Sequence, residues 1–332
     1  MTWVVWRQHR NQVYIAAVAL AAFAVVLLIT GRQMASQYQS ALSQCSATHS
    51  CSGLANTLAL GSSWTTALVT LTVVVPCLLG VFWGGPLVAR EIETGTTQFA
   101  WMQSVTRKRW LAVKVGWALL AGAVWGGAVA ALVTWWSSPM NALLHQNFQA
   151  SQFDIQGIVP IGYAVFAVAL GIAAGTLIRR ALPAMAVTLV VFTFLRLLIS
   201  EDLRSHYLTA VTKISSFLGQ PVLPKGSYWL VSSGILGPGG RVPGGPVHGG
   251  PNISFGGAQM PIASTPSACQ SLVFRNPLSF RSCLAAHGYH SFISYQPADR
   301  YWAFQGIETG IFVLLAAALI AVTAIVVLRR DA

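Results

Sequence analysis

The chain has 332 residues, of which 55% are hydrophobic and 8% charged, with a net charge of +12. A soluble domain carries about 25% charged residues, and apolar runs of about 18 residues or more recur here, so an integral membrane protein is expected rather than a soluble one. The basic excess does not point to nucleic acid, because Lys and Arg stand at the ends of apolar runs, where they set topology and meet anionic headgroups.

The chain opens with MTWVVWRQHRNQ. Trp3 and Trp6 beside Arg7 and Arg10 read as a helix lying at the cytoplasmic interface. No small-residue cleavage site follows before TGRQMASQYQ, so this is not expected to be a secretory leader. Six apolar runs follow in order, at about Val13–Thr30, Trp64–Val88, Leu111–Trp136, Ile158–Ile178, Ala181–Ser200 and Ala303–Leu328. Each reaches the roughly 20 residues that cross about 30 Å of hydrocarbon. Every backbone group must be paired inside a bilayer, so each run is expected to be a helix. The fold class is therefore an all-α membrane protein of six transmembrane helices. Its parts are residues 1–200 with spans one to five, an extracellular segment at 201–302, and span six with a cytoplasmic tail at 303–332.

Orientation follows from the basic residues of the short connections. One side holds Arg7, Arg10, Arg90, Arg107, Lys108, Arg109, Lys114, Arg179, Arg180, Arg329 and Arg330, and the short connections of the other hold only Arg32. Both termini are thus expected in the cytoplasm of a multi-pass plasma-membrane protein. Cys45 and Cys51 then fall in the first outer loop, and Cys269 and Cys283 in the long outer segment, where an oxidising exterior suits disulfides. The local pairings are Cys45–Cys51 and Cys269–Cys283, one of three possible connectivities. Cys283, His287 and His290 could approach a metal, but no fourth ligand or acid stands nearby, so no metal is expected. Within the outer segment, LGPGGRVPGGPVHGGP is too rich in Gly and Pro to bury a core and should be an irregular loop. Aromatic residues return from about 268 to 301 with the second cysteine pair, as in a small disulfide-pinned cap.

No G-x-x-x-x-G-K-[ST], H-E-x-x-H or G-x-S-x-G pattern occurs, so the chain is not expected to be an enzyme or to hold a cofactor. Ionisable residues at membrane depth are functional candidates. Arg196 lies near the outer end of span five and Glu308 about one turn into span six, which makes them candidate outer-gate charges. Both lie within about two turns of water, so they are expected to snorkel, or to pair with each other or with Arg300. Acids near the midplane, internal repeats and pore motifs, the marks of ion-coupled carriers and channels, are not visible.

The connection REIETGTTQFAWMQSVTRKRW (Arg90–Trp110) concentrates charge in a chain with eight acids. Two acids at a helix C-terminus oppose the macrodipole unless they begin a new element. Gly95 allows a turn, and Phe99, Met102 and Val105 recur at i, i+3 and i+6 as on one helical face. A short amphipathic surface helix is expected, exposing Glu93, Thr96, Gln98 and Gln103.

These residues also carry a family resemblance. E-x-E-x-G-T (Glu91, Glu93, Gly95, Thr96), then S-x-T-R-x-x-W (Ser104, Thr106, Arg107, Trp110) and Lys114, resembles the second-to-third-span connection of bacterial ABC-2 type transporter permeases. The M-T-W-x-x-W-R-Q start and Y-Q-P-x-x-R-x-W-x-F-Q-x-I-E (Tyr295–Glu308) resemble a six-span subgroup with an enlarged outer loop. The resemblance implies an N-terminal interfacial helix and a coupling helix, at about 91–109, that docks on a separate ATP-binding subunit. By the same resemblance Glu91, Glu93, Gly95, Thr96 and Arg107 form the coupling region. Two permease copies, alike or paralogous, and two ATPases make the exporter, with ATP and Mg bound in the partner and substrate passing between the permeases. The outer segment of roughly 100 residues departs from the family pattern. The function implied is export of an amphipathic substrate such as a lipid, peptide or drug, with membrane lipids as further partners. The alternative is a membrane-anchored sensor or immunity protein whose outer cap binds a ligand without transport.

Overall fold

The computed structural model describes residues 2–48, 63–95, 106–144, 148, 150–216, 228–242, 252–255, 258–261, 265–273 and 275–329. Two units are formed, one from residues 1–207 and 302–332 and the other from Leu208–Tyr301. In the first unit lie α1 (Thr2–Thr48), α2 (Ser63–Leu79), α3 (Gly85–Glu93), α4 (Arg107–Leu144), α5 (Ala150–Phe153), α6 (Val159–Ile178) and α7 (Ala181–Leu198). The long last helix is α10 (Tyr301–Arg329). Among the described residues, six stretches are long and apolar enough to cross a membrane, at Val13–Gln33, Ala67–Glu93, Arg107–Ser138, Val159–Ile178, Ala181–His206 and Ala298–Arg329. This agrees with the six expected runs. The N-terminal stretch expected at the interface is helical and continues without a break into span one, as part of α1.

Span two joins α2 to α3 through a π-helical turn at Gly80–Gly84. Pro76 precedes that turn inside α2; proline removes a helical hydrogen bond and crowds the preceding turn, and π-turns are common ways to absorb such a fault. The hub of the bundle is α6, buried around nearly its whole length. It packs against span two through two small-residue frames, Gly80-x-x-x-Gly84 and Gly171-x-x-x-Gly175. A Cβ added at Gly84 would come within 2.6 Å of the Val168 carbonyl, and one at Gly175 within 2.6 Å of the Gly85 carbonyl. Lipid is as apolar as leucine, so close backbone packing of this kind is what holds membrane helices together. Around it, Leu87, Val88, Trp110, Leu111, Val115, Val168, Ile172 and Val327 form a buried cluster from α3, α4, α6 and α10.

The second unit departs from an all-helical reading. It contains a four-stranded antiparallel sheet in the order β1–β6–β2–β3, with β1 at Val211–Ser216, β2 at Tyr228–Gly237, β3 at Gly240–Val242 and β6 at His290–Pro297. A separate hairpin pairs β4 (Asn252–Phe255) with β5 (Ala258–Pro261). Short helices α8 (Ser267–Gln270) and α9 (Pro277–Ala286) pack Cys269, Phe280 and Leu284 against Ile235 of β2. Strands form here because residues such as Ile235, Phe292 and Tyr295 are β-branched or aromatic, and only one face of the sheet need be apolar. Part of the Gly/Pro-rich stretch is ordered too, as Pro238 and Gly239 turn the chain from β2 into β3.

Candidate functional site

Two charged constellations lie at opposite ends of the helical unit. At one end α3 finishes with Arg90, Glu91 and Glu93 in its last turn. Gly95 follows at a φ of +71°, a left-handed conformation that glycine adopts freely. The two acids therefore terminate span two instead of beginning the coupling helix, and Arg107 belongs to the first turn of α4. The expected helix at about 91–109 is corrected at both of its margins, while residues 96–105, including Thr96, Phe99, Met102 and Ser104, lie outside the described residues.

The acids at the end of α3 would oppose the helix dipole, and tertiary partners offset this. Glu91 forms an ion pair with Lys114, which is nearly fully buried on α4. The Lys114 ammonium also lies 4.9 Å from the Trp110 ring centroid, an attraction that holds the cation in apolar surroundings. Glu93 is exposed and accepts a hydrogen bond from the Ala181 backbone N–H, 3.3 Å away at the start of α7. That N–H is one of the unpaired donors of a helix N-terminus. The C-terminal end of α3 is thus pinned to α4 by Glu91 and to α7 by Glu93. Glu91 is therefore engaged within the chain.

At the other end, four charges and a phenol form a buried network. Arg204, in the 3-10 turn that follows α7, donates from Nε to Glu308 Oε2 at 2.8 Å and from Nη2 to Oε1 at 2.7 Å. This two-pronged geometry fits a guanidinium to a carboxylate. Arg204 also pairs with Asp154, and Tyr163 of α6 donates its hydroxyl to Glu308. Arg196 of α7 pairs with Asp154 at 3.0 Å and donates to the Val73 carbonyl of α2 at 2.6 Å. Two cations thus face two anions, and the network is neutral. Glu308 and Arg204 are 0% and 1% exposed.

Neither candidate gate residue follows its expected pairing. Glu308 does not snorkel, and its partner is Arg204; Arg196 meets Asp154; Arg300 lies in the other unit and donates to the Thr209 carbonyl. Sequence reasoning missed Arg204 and Asp154, because both stand in connecting stretches outside the apolar runs. The signal available was arithmetic: a buried acid in span six needs a cation at the same depth. Gln305, inside the Tyr295–Glu308 motif, completes this end. Its Oε1 accepts from the backbone N–H groups of Ile158 and Val159 at 2.9 and 3.0 Å, and its Nε2 donates to the Phe153 carbonyl at 3.1 Å. It caps the start of α6 from another helix.

Of the cysteines, Cys269 and Cys283 form a disulfide with their Cα atoms 5.8 Å apart. Both sulfurs are thereby committed to a covalent bond. His287 sits beside them, with its Nδ1 2.8 Å from the Cys283 carbonyl. Cys51 and the side chain of Cys45 lie outside the described residues, so their expected pairing does too.

Residues 17–204, more than half of the chain, match a family model described as ABC-2 membrane transporter related. The chain belongs to that family. The match covers spans one to five, from the first membrane helix to Arg204, and so includes both ends of the permease bundle. No curated protein and no solved structure matches it. Permeases of this family are membrane components of transporters that associate with an ATP-binding subunit and are generally not themselves catalytic, which agrees with the resemblance of the Glu91–Lys114 stretch.

Proposed function

We propose that the protein is the permease subunit of an ATP-driven exporter that moves an amphipathic substrate, with ATP and Mg held by a separate ATPase docked on the Arg90–Trp110 connection. The observation that carries this reading is the double anchoring of the end of span two, where that connection begins. Glu91 ties it to α4 through Lys114, and Glu93 ties it to the start of α7. A force applied there is transmitted to spans two, three and five together, whereas a loose loop would dissipate it. Arg90, Arg107, Lys108, Arg109, Arg179 and Arg180 flank the same connections, which supports a cytoplasmic position for this end and for both termini. Two permease copies and two ATPases are the assembly expected of such an exporter. The Asp154–Arg196–Arg204–Glu308 network then stands at the outer end, where it holds α5, α6, α7 and α10 in one arrangement.

The test is co-purification of the tagged protein with an ABC-type ATPase from its native membranes, followed by ATP hydrolysis in proteoliposomes. Glu93→Ala is expected to lower transport-coupled hydrolysis several-fold while the folded permease remains in the membrane. Absence of any co-purifying ATPase, with every cellular phenotype of the protein unchanged in the Glu93→Ala variant, would overturn the reading and favour a ligand-binding sensor.

A further inference from the structure

We infer that the exposed face at the start of α4 is a binding site for an anionic phospholipid, with its headgroup on Lys108 and Arg109 and an acyl chain in the notch below them. The notch has a volume of about 280 Å³ and is lined by Ala112, Val113, Gly116, Trp117 and Leu120. From Arg109 these residues stand at i+3, i+4, i+7, i+8 and i+11, so cation and notch share one helical stripe. The opposite stripe of α4, with Trp110, Leu111, Lys114, Val115 and Ala118, is buried in the bundle. Gly116 makes the notch, since a Cβ there would meet nothing within 4 Å while Trp117 and Leu120 stand out beside it, about half exposed.

Charge identifies the occupant. Lys108 and Arg109 are exposed, and neither has an ion-pair partner among the described residues. They occupy the first turn of α4, which holds no acid. Cations at that end of a helix oppose its dipole, so the position gains from a bound anion. At 1.5 Å per residue, Gly116 lies about 10 Å along the axis from Arg109. That is the distance at which an acyl chain leaves the headgroup layer for the hydrocarbon. A phosphate bridging Lys108 and Arg109 with its chain lying over Gly116 satisfies both halves of the surface. A free phosphate would satisfy only the upper half, and a zwitterionic lipid would bring its own cation to a cationic site. The site is independent of the exporter reading, since it rests on one face of one membrane helix.

The experiment uses the full chain in nanodiscs of equimolar phosphatidylglycerol and phosphatidylcholine, transferred to detergent and read by native mass spectrometry. Retention of phosphatidylglycerol over phosphatidylcholine by several-fold is expected. The double variant Lys108→Gln with Arg109→Gln should abolish that preference. Gly116→Leu fills the notch from a position where a Cβ meets nothing within 4 Å, and should lower retained phosphatidylglycerol several-fold at an unchanged melting temperature. Inorganic phosphate at millimolar concentration should not compete. Equal retention of the two lipids by the wild type overturns the inference, as does unchanged retention in the variants or full competition by phosphate. The same holds if the double variant keeps its lipid and loses only a co-purified ATPase, because Lys108 and Arg109 would then be protein contacts.

Discussion

Glu308 shows what a single charge demands at this depth. It is fully buried, and Arg204 and Tyr163 supply three hydrogen-bond donors to its two oxygens. Removing one member of such a pair leaves the other charge buried and uncompensated, at a cost of about 3–5 kcal/mol. Glu308→Ala is therefore expected to lower the melting temperature of the detergent-solubilised protein sharply, and Glu308→Gln to lower it less because two of the hydrogen bonds survive. Gln305→Leu tests a neutral contact beside it. Two backbone donors at the start of α6 and the Phe153 carbonyl would lose their partner, and buried groups left unpaired cost about 1–3 kcal/mol each. A loss of that order in thermal unfolding is expected, with no dependence on ionic strength. The acid of span six was legible in the sequence, and so was its need for a counter-charge. Which cation answered it was not, because Arg204 approaches through a turn that carries no periodic signal.

Between elements, the decisive contact is backbone against backbone. The Gly171 and Gly175 face of α6 meets Gly80, Gly84 and Gly85 of span two so closely that side chains cannot enter. Overpacking a tight interface costs about 1–3 kcal/mol even where neighbours yield, and here the neighbour is main chain. Gly175→Val is expected to separate span two from α6 and reduce the yield of folded protein in the membrane fraction, measured by detergent-resistant size-exclusion profiles. Gly116→Val on the exposed stripe of α4 is the matching control and should fold normally. The six spans were legible because length and hydropathy report the solvent. Their order of burial was not, since α6 and α7 have similar apolar composition while α6 is buried on all sides and α7 exposes Leu182, Val190 and Phe194.

At the scale of the molecule, the chain divides its chemistry between a helical membrane unit and a disulfide-bonded unit with a sheet. The Cys269–Cys283 bridge closes a loop of 14 residues in sequence, and a loop of about 15 residues corresponds to roughly 3 kcal/mol of stabilisation. Reduction, or Cys283→Ser, is expected to open Leu208–Tyr301 to limited proteolysis, read by the appearance of cuts between α8 and α9. Hydropathy was enough to mark six spans, and the Glu91–Lys114 motif was enough to point to the ABC-2 family, because each is a local property of the chain. The sheet was not legible, since its strands are short and separated by Gly- and Pro-rich stretches that hide their pairing. Folding in three dimensions added the pairings themselves: Lys114 to Glu91, Arg204 to Glu308, and α6 to span two. Partners distant in sequence meet only when helices pack, and a buried charge takes whichever counter-charge packing brings within reach.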